Sequence, residues 1–220
     1  MTKADDAYLL LAEMIETGKL EPGTFHTEVG LVEEVGLGRT PLREAVQRLD
    51  RDHLVRIRPG RGIEIPSNSV DEQLRRLEVR RAMEALAVAL ACERATTGQL
   101  AGIQALTEEL EDINQLDDYV RAVRATHGML CEAAHNEYLA DAMTPLQGLS
   151  RRFWLAHIVD AGEELESGKR LHLQLLRSIL SRDAETAQQA SIKLNDYLVR
   201  FALGVATRNA RLGRLGAPQY

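Results

Sequence analysis

The chain is 220 residues long, 45% hydrophobic and 27% charged, with a formal net charge of −6. That length allows one large domain or two modest ones, and no apolar run approaches a membrane span. The N-terminus carries acids where a signal peptide carries bases, so a cytoplasmic protein with no membrane association is expected.

The two cysteines, Cys92 and Cys131, are isolated and far apart, which makes neither a disulfide framework nor a zinc signature. Both are expected as small buried thiols. The charge is unevenly spread. Residues 1–34 hold two lysines against eight acids, whereas residues 39–61 hold seven arginines against three acids. A local basic surface can serve a nucleic-acid contact on an acidic protein, because phosphates lie within a Debye length of it and distant acids are screened.

Residues 5–66 read as a small, tightly punctuated unit. "DDAYLLLAEMIETGKL" predicts an amphipathic helix with acids at its start and Gly18 near its end. "EPGT" is a turn, and "TEVGLVEEVG" a short second helix ending at Gly36. In "GRTPLREAVQRLDRD", Thr40 is the expected N-cap and Pro41 the first helical residue. Leu42, Ala45, Val46 and Leu49 form the buried stripe. Arg43 and Gln47 lie on the opposite face, and Arg39 sits just before the cap. Free N–H groups and two arginines thus converge on one helix end, which suits phosphate and the O6 and N7 atoms of guanine.

In "LVRIRPGRGIEIP", Val55 and Ile57 alternate with Arg56 and Arg58, and Ile63 and Ile65 with Glu64. The Pro-Gly-Arg-Gly between them is a turn, so this is a β-hairpin that adds Arg58 and Arg61 to the basic surface. Three helices and a hairpin, the third helix basic, predict a winged helix-turn-helix over residues 1–66.

Residues 67–69 are a polar linker. From residue 70 onward only helical periods occur. "VDEQLRRLEVRRAMEALAVALACERAT" has Leu74, Leu77, Ala82, Leu86 and Ala89 on an apolar stripe, and further helices are expected at roughly 100–114, 117–135, 136–158, 163–181 and 184–205. The fold class is therefore mainly α: a winged helix-turn-helix with a small hairpin wing, then an antiparallel all-helical bundle over 70–205 and a tail over 206–220.

The run "GKLEPGTFHTEVGLVEEVGLGRTPLREAVQRLDRDHLVRIRPGRGIEI" resembles the DNA-binding domain of the GntR family of bacterial transcription regulators. The shared features are the PG turn, the RTPLREAVQRL helix and the RG wing. The bundle, beginning at "LEVRRAMEALAVALA", is similar to the all-helical ligand-binding (FCD) domain of the FadR-like branch. The resemblance implies that Arg39, Thr40 and Arg43 contact bases and phosphates and that Gly60 to Gly62 form a wing tip entering the minor groove. Gln47 is added from helical phase. One departure is Gly38, where the family usually has Ser.

The resemblance also implies a divalent metal in the bundle, held by an Asp and a His four residues apart and by two later His. His127 and His172 match two of those positions. Val123 stands at the Asp position, and the third His position falls at Leu194 or Asn195. Two imidazoles rarely hold a metal against water, so little bound metal is expected. Arg80 stands where the family places an inward basic residue. It faces either Glu84, four residues on, or an anionic ligand.

These readings describe a homodimeric, ligand-responsive regulator, not an enzyme. Its winged helix reads a palindromic operator in double-stranded DNA, with repression the usual sign in the family. Its bundle takes a small carboxylate effector through Arg80, His127, His172 and Asn195. The alternatives are a metal- or acid-binding helical enzyme and a protein-binding adaptor.

Overall fold

The computed structural model describes residues 2–67 and 69–215, with side chains as far as 211. Met1, Asn68 of the expected linker and residues 216–220 of the expected tail lie outside them. The chain divides into two compact units, one of Met1–Ser69 with Gly148–Ala156, the other of Val70–Gln147 with His157–Tyr220.

The first unit runs α1 (Lys3–Glu16), β1 (Phe25–His26), α2 (Glu28–Val35), α3 (Arg39–Arg51), β2 (Arg56–Arg58) and β3 (Gly62–Glu64). α1 starts earlier than its apolar pattern suggests, because Thr2 and Asp5 form a reciprocal capping box ahead of it. α2 stops where Gly36 turns left-handed, at φ 71°. α3 starts one residue before the expected cap. Gly38, not Thr40, is the N-cap, with Leu42 N–H donating to Gly38 O at 3.2 Å. Pro41 therefore sits third in the helix, where its missing N–H again costs nothing.

The expected hairpin is part of a three-stranded antiparallel sheet, ordered β1-β3-β2, with Phe25 opposite Glu64 and Ile57 opposite Ile63. Val55, Ile63 and Ile65 are buried as the alternation predicts. Ile57 is 45% exposed, because β2 is an edge strand that covers it on one side only. Leu42, Ala45, Val46 and Leu49 are all buried, packed with Leu11, Ile15 and Leu31 in one core that Leu149 also enters. Arg151 clasps Glu16 there through two bonds, Nε to Oε1 at 2.7 Å and Nη2 to Oε2 at 3.1 Å.

The second unit is helical: α4 (Val70–Arg94), α5 (Thr97–Asp112), α6 (Leu116–Ala133), α7 (Glu137–His157), α8 (Ala161–Leu180) and α9 (Ala184–Leu215). Thr96 with Gln99, Asn136 and Asp160 cap the starts of α5, α7 and α8. Residues 148–156 of α7, beyond its interior Pro145, are the ones that belong to the first unit. α9 extends past residue 205, where the tail was expected, through Leu215. Among the described residues no helix is long and apolar enough to cross a membrane.

The largest correction concerns α4. Of its expected stripe only Leu77 is buried; Ala82 is exposed and Leu86 is 48% exposed. The buried face carries Gln73, Arg80 and Glu84 together with Ala87, Val88, Ala91 and Cys92. Arg80 can turn inward because Glu84, one helical turn on, supplies its counter-charge.

Candidate nucleic-acid interface and bundle cavity

α3 presents Arg39, Thr40 and Arg43 at its exposed start and Gln47 one turn further on, all on the side away from the Leu42–Leu49 stripe. Its own first-turn N–H groups add positive potential there. Arg43 is held from behind by Glu28, the first residue of α2: Nη2 lies 2.8 Å from Oε2 and Nε 3.3 Å from Oε1. The pairing lowers the Glu28 carboxyl pKa and raises that of Arg43. Nothing in the local sequence marks Glu28 as the partner of Arg43, fifteen residues away. The contact exists only once α2 and α3 cross.

The remaining arginines sort into two groups. Arg48 turns back to α1, 3.0 Å from Asp5 Oδ1 and with its guanidinium carbon 4.2 Å from the Tyr8 ring centroid. At the wing, Arg58 Nε meets Glu64 Oε2 at 2.5 Å, and Arg56 shares the same carboxylate. Arg61 at the wing tip stacks over Phe25 at 4.6 Å. Phe25 belongs to β1, the strand the hairpin pattern missed. Gly62 has φ 99°, and a Cβ there would stand 2.5 Å from the carbonyl oxygen of His26. Only glycine lets β1 close on β3 at that point. The arrangement offers a helix end and a strand turn, both edged with arginine, as backbone and groove contacts for a duplex.

In the helical unit, Glu84, Ala87, Val88, His127, Leu130, Met143, Leu175, Ser191 and Leu194 enclose a cavity of about 10 Å³, the space of a single water. Arg80 is buried beside it. Its Nε and Nη2 lie 3.1 and 2.6 Å from Glu84 Oε1, and Gln147 Nε2 donates to the same oxygen at 3.3 Å. The cation is thus matched by an acid of its own helix.

The His127 and His172 rings stand 6.1 Å apart, so the structure brings together the two imidazoles that the sequence singles out. His172 Nδ1 lies 2.9 Å from Gly168 O and 3.1 Å from Tyr119 Oη. A carbonyl can only accept, so Nδ1 carries the proton and Nε2 is the basic nitrogen of the ring. Burial raises the Tyr119 pKa well above its ordinary value, keeping the phenol protonated. A Cβ at Gly168 would fall 2.0 Å from Tyr119 Oη, so the glycine is what admits the phenol. Neither Tyr119 nor Gly168 was foreseen, because only the packing of α6 on α8 gives them a role.

None of the other family metal positions holds a carboxylate or an imidazole. Val123 is buried one turn before His127, and Leu194 lines the cavity. Asn195 is buried with its amide nitrogen donating to Leu77 O at 3.1 Å. Among the described residues no group of three or more His, Cys, Asp or Glu is placed to hold a metal ion. This donor set does not fit the family's divalent metal.

Residues 3–65 match the family described as bacterial regulatory proteins, gntR family, and residues 75–196 match the FCD domain. The chain is 29% identical to the HTH-type transcriptional repressor GlaR of Escherichia coli over 84% of this chain and 88% of that one. It is 25% identical to the galactonate operon transcriptional repressor of the same organism, over 88% and 94%. Its fold resembles that of the solved E. coli protein McbR/YncC with a TM-score of 0.80, at 20% identity, covering 93% of this chain and 98% of that one. With a basic helix start and wing on one unit and a buried histidine pair in the other, the chain belongs to the GntR family of DNA-binding, ligand-responsive transcription regulators and carries an FCD domain.

Proposed function

We propose that the protein is a cytoplasmic, homodimeric transcriptional repressor that reads a palindromic operator and is released from it by a small organic acid. The observation that carries the DNA half is the convergence of Arg39, Thr40 and Arg43 at the start of α3. Twofold proteins read twofold sites, because each recognition helix enters one half-site. The relatives described as repressors support the sign. One of them acts on a galactonate operon, which supports an acid as the effector class.

The effector carboxylate takes the place of Glu84 on Arg80, with His127 and His172 beside it. Exchange is required because Arg80 already has a counter-ion. Displacing Glu84 also frees Gln147, the last residue of α7 before its segment in the first unit. The ligand-bound dimer then holds its two reading heads at a spacing that no longer fits the operator. Fluorescence anisotropy on a fragment of the protein's own promoter tests this with a panel of sugar acids and dicarboxylic acids. Release by one acid, abolished in Arg80→Met/Glu84→Leu with basal DNA binding retained, is the expected result. Release that survives in the double variant would remove Arg80 from the effector site.

A further inference from the structure

Val29 lies in the first turn of α2 and is 52% exposed. The core takes Leu31, Val32 and Val35 from this helix, and Val29 falls outside that stripe. A β-branched side chain on an exposed helix face adds nothing to the fold, since alanine is the better helix former. The surroundings of Val29 are cationic. Glu28, its neighbour in the chain, holds Arg43 of α3 at 2.8 Å, and four residues back Phe25 of β1 lies beneath Arg61 of the wing tip. Thr27, between them, caps α2 by accepting from Gly30 N–H at 3.1 Å. The short run 25–29 is therefore tied near both ends to arginines of the proposed DNA surface, with Val29 uncovered next to the residue that holds Arg43.

We propose that Val29 is a specificity-determining residue, whose isopropyl group meets the C5-methyl group of a thymine flanking the guanine that Arg43 reads. The inference rests on α3 as the recognition element and adds a base to what it reads. The chemistry of the groove selects the partner. The other groups on the base edges of the major groove are hydrogen-bond donors and acceptors, and the thymine methyl is the one apolar feature among them. A valine set against a donor or acceptor strips its water and returns no bond. Set against a methyl, it removes apolar surface from water on both sides. Phosphate offers an isopropyl group nothing, so Val29 adds no affinity for duplex in general. Arg43 and Val29 thus divide the work. The guanidinium prefers guanine, the isopropyl group prefers thymine at a flanking position, and Glu28 fixes the first from the residue next to the second.

The test uses the full-length protein, as wild type and as Val29→Ala, and duplexes that each selects from a random pool. The wild type is expected to select a guanine and a flanking thymine in each half-site. Val29→Ala should keep the guanine and lose the preference for thymine. Anisotropy then follows on the wild-type duplex with each thymine replaced in turn by uracil, which removes the methyl group and leaves the pairing intact. One such replacement per half-site should weaken the wild type about fourfold and leave Val29→Ala unaffected. On scrambled duplex the two proteins should bind alike. If no uracil position distinguishes the two proteins, the methyl contact is overturned. It is overturned too if Val29→Ala binds operator and scrambled duplex equally weakly and unfolds at a lower temperature, which would make Val29 a residue of the fold. A wild type that selects no sequence at all would instead overturn α3 as the recognition element.

Discussion

Arg43 and Glu28 face each other from the first turns of adjacent helices, joined by two bonds of 2.8 and 3.3 Å. The arginine proposed to read a base is therefore aimed by a carboxylate that stands beside the proposed DNA face. The acid orients the guanidinium and also opposes phosphate approach, and these two effects have separable signatures.

Glu28→Gln keeps the shape and removes the charge. Binding to non-specific duplex should tighten by a few-fold, and its salt dependence should steepen as one more cation becomes available to phosphate. The ratio of specific to non-specific affinity should fall, because Arg43 is no longer held in one pose. Anisotropy titrations on operator and scrambled duplexes at several salt concentrations check this. Weaker binding to both duplexes would mean that Glu28 acts through the fold of the domain.

The Arg80–Glu84 pair should be worth little as a pair and a great deal when broken. Glu84→Ala leaves a buried guanidinium without its acid and should cost about 3–5 kcal/mol of unfolding free energy. Arg80→Met/Glu84→Leu, which removes both charges at similar volume, should recover most of that loss. Denaturant unfolding of the three proteins decides it. A double variant as unstable as Glu84→Ala would show that shape, not charge, governs this part of the core.

Cys131 is buried, and burial, with the Glu84 carboxylate nearby, pushes its thiol up to about 11. An unfolded cysteine ionises near pH 8.5, so raising the pH ionises the unfolded chain first and removes stability between there and about 11. In the folded protein at pH 8 the thiolate is scarce. Iodoacetamide should therefore label Cys131 at least about a hundredfold more slowly than a free thiol, with labelling restored in denaturant. Fast labelling of the native protein would place Cys131 in a far more open setting.

Which parts of this molecule can be read from its residues follows from how local the causes are. The Leu42, Ala45, Val46 and Leu49 stripe is set by period alone and is buried as expected. The start of α3 depends on competition between Gly38 and Thr40 for one cap, which a residue or two of context cannot resolve. β1 has two residues and no pattern of its own, and it exists because Gly62 lets His26 approach. Apolar character alone puts Ala82 and Leu86 of α4 inside with Leu77, yet only Leu77 is buried. A helix that packs an ion pair inside and leaves Val79 and Leu86 outside breaks that rule. At the candidate sites, His127 and His172 were found through resemblance, whereas Glu28, Tyr119 and Gly168 act through contacts between helices.

The cavity also fixes which redesign should create a metal site. Leu194 lines it and Asn195 is tied to Leu77 O, so the missing imidazole belongs at 194. Val123→Asp/Leu194→His should bind nickel or zinc and gain thermal stability in its presence, because metal that binds only the folded state stabilises it. Elemental analysis after dialysis against chelator should find little metal in the wild type and about one equivalent in the variant after reloading, in line with a four-ligand site. Near-stoichiometric metal in the dialysed wild type would show that His127 and His172 have further ligating partners and that the site is intact.

The central claim, that the start of α3 reads DNA, is tested most directly by anisotropy of Arg39→Ala and Arg43→Ala on the protein's own operator at fixed salt. Each substitution should cost about 1–3 kcal/mol on the operator and relax specificity at one base position, with far smaller effects on scrambled duplex. Circular dichroism should remain unchanged, since both side chains are exposed. Operator affinity unchanged in both variants would contradict the assignment of α3 as the recognition helix.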